Sequence, residues 1–140
     1  MNVSTLDTLI TKYVMPNQIR PSLMPKQLNG MLTGFMDMVF KDSKGKYYVV
    51  DYKSNKLNGY GKEELADSIL SHRYDVQYTL YLVALHRLLK SRLSDYDFDT
   101  HIGGAIYLFL RGVETKSQGL FVDCPSKELI FAIDDAFRGA

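Results

Sequence analysis

The stretch from Phe35 to Lys53, FMDMVFKDSKGKYYVVDYK, decides the fold of this chain. Phe35–Phe40 is a short run in which an acidic residue interrupts apolar ones, and Asp42–Gly45 carries the polar residues and the glycine typical of a turn. Tyr47–Lys53 is rich in β-branched and aromatic residues. Two such runs joined by a short turn predict a β-hairpin.

The hairpin places two acidic side chains face to face. Residues two apart in a strand share a face, and pairing Phe40 with Tyr48 puts Asp37 opposite Asp51. Side chains opposite one another in an antiparallel pair lie about 5 Å apart at Cβ, and like charges there repel. Lys53 follows Asp51 on the same face. The pattern therefore predicts a cation between the carboxylates.

Hard oxygen ligands of this kind suit Mg²⁺, with Mn²⁺ as a substitute. Lys53 beside them can orient a water or stabilise charge that develops on a phosphoryl oxygen. A surface hairpin whose Asp and Lys side chains are simply solvated is the alternative, and the hairpin alone leaves it open.

Outward from the hairpin, the pattern predicts an α/β domain with a mixed sheet flanked by helices, in the order α-β-β-α-β-β-α. A capping box at Ser4–Asp7 predicts a helix through Val14. The remaining predicted elements are a loop over 16–29, a loop over 54–62, one long helix over 63–92, strands over 105–110 and 119–122, and a final helix from Ser126 to Phe137. We divide residues 1–140, a single domain, into an approach segment (1–33) and a catalytic core (34–140).

Composition limits the possible classes of protein. The chain has 140 residues, 46% of them hydrophobic, with one cysteine and a net charge of +1. These values exclude disorder and a disulfide scaffold. No apolar run reaches the roughly 20 residues of a membrane span, and no signal peptide precedes the domain, so we expect a cytoplasmic protein without membrane contact. The near balance of charge disfavours a free-standing basic DNA binder.

The long helix carries a second polar feature. Gln77 and Tyr81 are four residues apart and share a helix face, with Tyr74 one turn earlier. A glutamine on that largely apolar stripe can hydrogen-bond a phosphate or a metal-bound water, although a half-exposed helix edge is the simpler explanation of the helix taken alone.

Three segments together resemble a known family. Gly34–Asp37, Asp51–Asn55 and Gln77–Tyr81 are similar to the GxxD, DYKS and QxxxY motifs of RecB-type nucleases, in the PD-(D/E)xK, restriction-endonuclease-like superfamily. The resemblance extends from about Leu6 to Phe137. It implies a restriction-endonuclease-like core and a Mg²⁺-dependent deoxyribonuclease.

The resemblance also assigns roles to individual residues. It implies that Lys53 is the catalytic lysine. It implies that Asp37 and Asp51 are metal ligands, with the backbone carbonyl of Tyr52 as a third oxygen. Gln77 and Tyr81 are the implied supporting pair of the active site. The implied partners are DNA, the helicase part of a longer parent chain, and the gamma and alpha subunits of exodeoxyribonuclease V.

Two departures from the family temper these expectations. The family uses a histidine ligand well before GxxD, whereas His72, His86 and His101 all follow it. The acidic residue of the family's early strand also has no evident counterpart before Gly34. We therefore expect a fragment truncated at its N-terminus, whose isolated activity is in question. The segment 59–63 lacks the residues of a P-loop, so we predict no ATP site.

His72, Arg73 and Lys56 are candidate DNA contacts from their charge and their position near the motifs. A solvated or salt-bridged helix face explains His72 and Arg73 equally well, and a flexible solvated loop explains Lys56 equally well. The alternative function is a non-catalytic module with a nuclease fold that docks partner subunits or DNA. With a net charge of +1, the chain alone is expected to bind DNA weakly and to lose that binding with modest salt.

Overall fold

The computed structural model describes residues 1–33 and 36–139. Its helices are α1 (Val3–Tyr13), α2 (Pro25–Thr33), α3 (Lys62–Ser71), α4 (Tyr74–Arg92), α5 (Phe98–His101) and α6 (Lys127–Arg138). Its strands are β1 (Met38–Lys41), β2 (Tyr47–Lys53), β3 (Ile102–Phe109) and β4 (Leu120–Asp123), with a 3₁₀ turn over Leu110–Gly112.

The four strands form one mixed sheet in the order β1-β2-β3-β4. β1 is antiparallel to β2, β2 is parallel to β3, and β3 is antiparallel to β4. A parallel pair requires a long crossover connection, which α3, α4 and α5 provide between β2 and β3. The predicted mixed α/β architecture is confirmed.

The predicted hairpin and its register are confirmed. Phe40 pairs with Tyr48, and Met38 pairs with Val50. The turn is closed by Asp42, whose carboxylate accepts hydrogen bonds from the N–H groups of Lys44 and Lys46, both at 2.9 Å. Gly45 adopts φ +85°, a conformation that glycine reaches without steric cost.

The core lies between one face of the sheet and helices α1, α4 and α6. Helix α4 has buried residues around most of its circumference, from Val76 to Leu89, because it packs on the sheet and on both other helices. Leu6 and Ile10 of α1 join the same core. The approach segment is thus packed onto the core that holds the hairpin.

Several predicted helix boundaries are wrong. Helix α1 is capped by Asn2, whose side chain accepts from the Thr5 N–H, rather than by Ser4. The predicted loop over 16–29 contains the start of α2, which no hydrophobic period marked because none of its residues is buried. The short helix α5, capped by Asp97, was also missed.

The predicted long helix over 63–92 is two helices, separated at His72 and Arg73. Arg73 has φ 55° and ψ 36°, a left-handed conformation that few non-glycine residues adopt. Contacts from distant segments hold it there, since its guanidinium binds Asp7 at 2.7 Å and the Pro21 carbonyl at 2.9 Å.

We call the four residues around this break the anchor cluster: Asp7, Arg20, Arg73 and Asp75. Arg73 donates to Asp75 through Nε at 3.1 Å, and Arg20 donates to the other oxygen of Asp75 at 2.9 Å. Arg73 and Asp75 are fully buried. Two carboxylates therefore meet two guanidinium groups, and the cluster fastens α1 and the following loop to the start of α4.

Candidate active site

Strands β1 and β2 bring Asp37 and Asp51 together. Asp37 lies one residue before β1 in the hairpin register, and its carboxylate accepts a hydrogen bond from the Tyr52 N–H at 2.7 Å. Asp51 is buried near the end of β2, at 7% exposure. Their side chains lie within hydrogen-bonding reach of each other. We call Asp37 and Asp51 the carboxylate pair.

The ionisation of the carboxylate pair reflects this proximity. Burial, and then the neighbouring Asp37, raise the pKa of Asp51 to about 6, although Lys53 opposes the shift. The pKa of Asp37 lies below its usual value because it accepts hydrogen bonds from Asp51 and from the Tyr52 N–H. Two acids this close share one proton more readily than they carry two charges.

Lys53 lies directly beside the carboxylate pair. Its Nζ is 3.1 Å from Oδ2 of Asp51. The ammonium also lies over the ring of Tyr74, 4.0 Å from its centroid, and 5.4 Å from that of Tyr107. Both rings attract a cation electrostatically. Asp51 and the two tyrosines thus fix the position of the ammonium group.

Helix α4 contributes Gln77 and Tyr81 from one face, as predicted. Gln77 accepts a hydrogen bond from the Tyr107 hydroxyl through Oε1. Burial raises the pKa of the Tyr81 hydroxyl, with further contributions from Asp51 and Asp37, while Gln77 lowers it. These effects require Tyr81 to lie near the carboxylate pair, so the structure brings five predicted site residues together.

One of the three predicted DNA contacts is wrong. Arg73 is fully buried in the anchor cluster, so its guanidinium does not reach the surface. His72 is exposed at the end of α3, with its ring stacked on Tyr74 at 5.1 Å between centroids, and Lys56 is exposed in the loop after β2. Both remain predicted DNA contacts.

The donor set of the carboxylate pair fits Mg²⁺ or Mn²⁺. Mg²⁺ takes one or two carboxylates in proteins and keeps several waters, and Asp37, Asp51 and the backbone at Tyr52 supply only oxygen. Across residues 1–33 and 36–139, no group of three or more Asp, Glu, His or Cys side chains is placed to hold a metal. His86 is buried beside Tyr96, with its Nδ1 2.6 Å from the Tyr96 hydroxyl.

Sequence reasoning missed Tyr107 and the role of Tyr74. Tyr107 pairs with Asp51 across the parallel strands β2 and β3 and points into the core with Ala105 and Phe109. The alternation of side chains along β3 indicates the side of the strand on which Tyr107 lies. Only the strand order places that side of β3 beside Asp51. Gly34 and Phe35, the first residues of the GxxD motif, lie outside the described residues.

Comparisons with known proteins agree with this geometry. The chain matches the PD-(D/E)XK nuclease superfamily over residues 8–136. It is 45% identical to the RecBCD enzyme subunit RecB of Escherichia coli (strain K12), over 97% of this chain and 12% of that protein. The RecB subunit of Haemophilus influenzae is 44% identical over 93% of this chain and 11% of its own length.

A more distant relative gives the same result. The RecB subunit of Mycobacterium tuberculosis (strain ATCC 25618 / H37Rv) is 38% identical over 77% of this chain. The chain spans no more than 12% of the length of these three relatives. None of the described helices is long and apolar enough to cross a membrane. The predicted resemblance is confirmed, and the chain belongs to the PD-(D/E)XK nuclease superfamily, with close similarity to a segment of RecB subunits.

Proposed function

We propose that this chain is the metal-dependent DNA nuclease domain of a helicase–nuclease that processes double-strand DNA ends in recombinational repair. The reaction is hydrolysis of phosphodiester bonds. The carboxylate pair is the observation that carries the proposal, because two facing acids with one neighbouring ammonium leave a deficit of positive charge. A divalent cation removes that deficit, whereas a purely structural cluster has no need of one.

The residues divide the work of cleavage. Mg²⁺ would be held by Asp37, Asp51 and the Tyr52 carbonyl, and it would supply Lewis-acid polarisation and a more acidic water. Lys53 is held near the carboxylates, where its ammonium stabilises negative charge that develops on a phosphoryl oxygen. Gln77 offers an amide to the phosphate, and Tyr81, which interacts with Gln77, helps to order the site.

The proposal extends to partners and location. In the full enzyme, a helicase part of the same parent chain and the gamma and alpha subunits of exodeoxyribonuclease V deliver DNA to the site in the cytoplasm. The RecB names of the relatives support this assignment. Delivery by a motor is compatible with a net charge of +1, because the domain then needs little DNA affinity of its own.

Cleavage of labelled linear DNA in Mg²⁺ tests the proposal. Lys53→Met and Asp51→Asn are expected to lower the rate by at least about 100-fold, the size of effect seen when one transition-state charge partner is removed. Lys90→Met is the matched control, because Lys90 is exposed on α4 nine residues beyond Tyr81. Unchanged cleavage by Asp51→Asn would contradict the assignment.

The same substitutions can be placed in an E. coli RecB chimera in which this chain replaces the matching segment. We expect the chimera with Lys53→Met to lose DNA degradation and to keep ATP-driven unwinding. Loss of both activities would instead indicate a structural role for Lys53.

One observation favours the alternative, a non-catalytic module that docks partner subunits. The sheet face opposite α4 has a continuous apolar row, in which Met38 pairs with Val50, Val50 with Ile106, and Ile106 with Val122. Met38 and Val122 at the two ends of the row are exposed. A docking module predicts that Asp37→Ala and wild type bind Mn²⁺ equally poorly, and calorimetry separates the two functions.

A further inference from the structure

Tyr107 is a buried tyrosine whose hydroxyl is directed at the site. Its side chain is 0% exposed, and it lies on β3 directly across from Asp51 of β2. The hydroxyl donates to Oε1 of Gln77, 30 residues earlier in the chain. Polar groups buried this deeply are normally paired, and this pairing connects the sheet to the α4 face that carries Gln77 and Tyr81.

The hydrogen bond fixes which way the Gln77 amide points. A glutamine amide has one acceptor end and one donor end on opposite sides of the same carbon. Because the Tyr107 hydroxyl occupies the carbonyl end, the NH₂ end turns away from β3. Gln77 also interacts with the Tyr81 hydroxyl, which lies on the side of the carboxylate pair.

We propose that Tyr107 is a positioning residue for DNA cleavage, whose hydroxyl holds the Gln77 amide with its NH₂ donors directed toward the substrate phosphate. The inference rests on the proposed nuclease function. A phosphate oxygen accepts hydrogen bonds and donates none, so only one of the two amide orientations serves the reaction. Tyr107 selects that orientation before DNA binds.

The ring of Tyr107 is separable from its hydroxyl. The ring lies 5.4 Å from Lys53 Nζ and packs edge-on against Tyr78, with 5.7 Å between centroids. Tyr107→Phe keeps both contacts and removes only the donor to Gln77. An effect of this variant on Gln77 is therefore an effect of the hydroxyl.

Tyr78→Phe is the matched control. Tyr78 is also 0% exposed, and its hydroxyl donates to Oδ2 of Asp123 at 2.7 Å on strand β4. Each variant removes one buried hydroxyl, and the two tyrosine rings pack against each other. The two variants are expected to lower stability similarly, so a difference in the site reports positioning.

The first measurement is kinetic. Loss of an orienting hydrogen bond of ordinary strength is expected to lower kcat about tenfold in Tyr107→Phe, with KM unchanged, and to leave both constants unchanged in Tyr78→Phe. In a Gln77→Leu background, Tyr107→Phe should have no further effect, because the two residues act through one interaction. Additive losses, or equal losses in the two phenylalanine variants, would overturn the proposal.

The second measurement does not depend on activity. The side-chain amide signals of Gln77 in a ¹H–¹⁵N NMR spectrum, identified by their absence in Gln77→Leu, should shift and exchange faster in Tyr107→Phe and stay in place in Tyr78→Phe. Unchanged signals in Tyr107→Phe would overturn the positioning role. An inactive wild-type chain with the expected NMR result would count against the nuclease function and leave the Tyr107–Gln77 interaction established.

Discussion

The anchor cluster and the carboxylate pair are two buried or partly buried acidic sites with opposite charge balance. In the anchor cluster, two carboxylates meet two guanidinium groups, and each contact between a carboxylate and a guanidinium is a charged hydrogen bond. At the carboxylate pair, two carboxylates meet one ammonium, and burial raises the pKa of Asp51 to about 6. The balanced site holds the fold together, whereas the unbalanced site is held in place by the fold and is suited to bind a cation.

The largest effect is expected from breaking the anchor cluster. Asp75→Ala leaves the buried Arg73 and Arg20 without their shared partner, which should lower the free energy of unfolding by about 3–5 kcal/mol. Urea denaturation followed by circular dichroism measures this. Asp99→Ala is the control, because it breaks an exposed pair with Lys127 and should cost less than about 1 kcal/mol. Similar losses in the two variants would contradict the comparison.

The opposite sign is expected at the carboxylate pair. Asp51→Asn removes the buried carboxylate whose pKa is raised and keeps a side chain of the same shape. In metal-free buffer at pH 7, we expect it to raise the free energy of unfolding by about 1 kcal/mol, because burial and Asp37 disfavour the ionised carboxylate. A clear loss of stability in the same urea experiment would show that Asp51 is structural.

The two clusters also predict opposite responses to pH. The folded pKa of Asp51, about 6, lies above its unfolded value of about 4. Stability without metal should therefore rise by about 1 kcal/mol as pH falls through 6, because only the folded chain takes up this proton. Asp37→Asn should reduce that rise.

The contribution of the anchor cluster to stability changes at lower pH than that of Asp51. Burial raises the pKa of Asp7, but hydrogen bonds from the Leu23 N–H and Arg73 outweigh it and leave the pKa below the usual value. Its contribution is present above the unfolded pKa of about 4 and is lost as pH falls below it. Urea midpoints between pH 3 and pH 8 should pass through a maximum, and a monotonic rise with pH would contradict the account.

The smallest effect concerns two cations that the sequence did not distinguish. Arg73 is buried in the anchor cluster, while Lys56 is exposed beyond β2. Lys56→Ala should weaken DNA binding about twofold and reduce the salt slope by about 1, as expected for one lost phosphate contact. Fluorescence anisotropy at several salt concentrations measures both. An equal effect of Lys90→Ala would remove Lys56 from the DNA surface.

Local chemistry made the hairpin predictable. The turn residues and the strand alternation predicted the hairpin. The assumed pairing of Phe40 with Tyr48 is the one in the structure, where it brings the carboxylate pair together. The prediction that Gln77 and Tyr81 share a helix face required only the helical period, because the two residues are four apart. The start of α6 at Ser126 was also predicted correctly, because Ser126 caps this helix and capping depends on neighbours three residues away.

Non-local contacts account for most of what the sequence did not predict. Arg73 adopts a left-handed conformation because Asp7 and Pro21, more than 50 residues away, bind its side chain, and no local pattern contains that information. Tyr107 reaches the site only because β3 lies beside β2. His86 is buried because Phe131 and Asp134 of α6 pack against it, and no local pattern in α4 contains that contact.

Mn²⁺ titration by calorimetry at pH 7, on the wild-type chain and on Asp51→Asn, tests the central claim most directly. The account predicts one binding event in the wild type, with proton release that increases as pH falls toward 6, and at least about tenfold weaker binding in Asp51→Asn, the loss of one charged ligand. Equal affinity in the two proteins, or no binding to the wild type, would contradict the assignment of the carboxylate pair as a metal site.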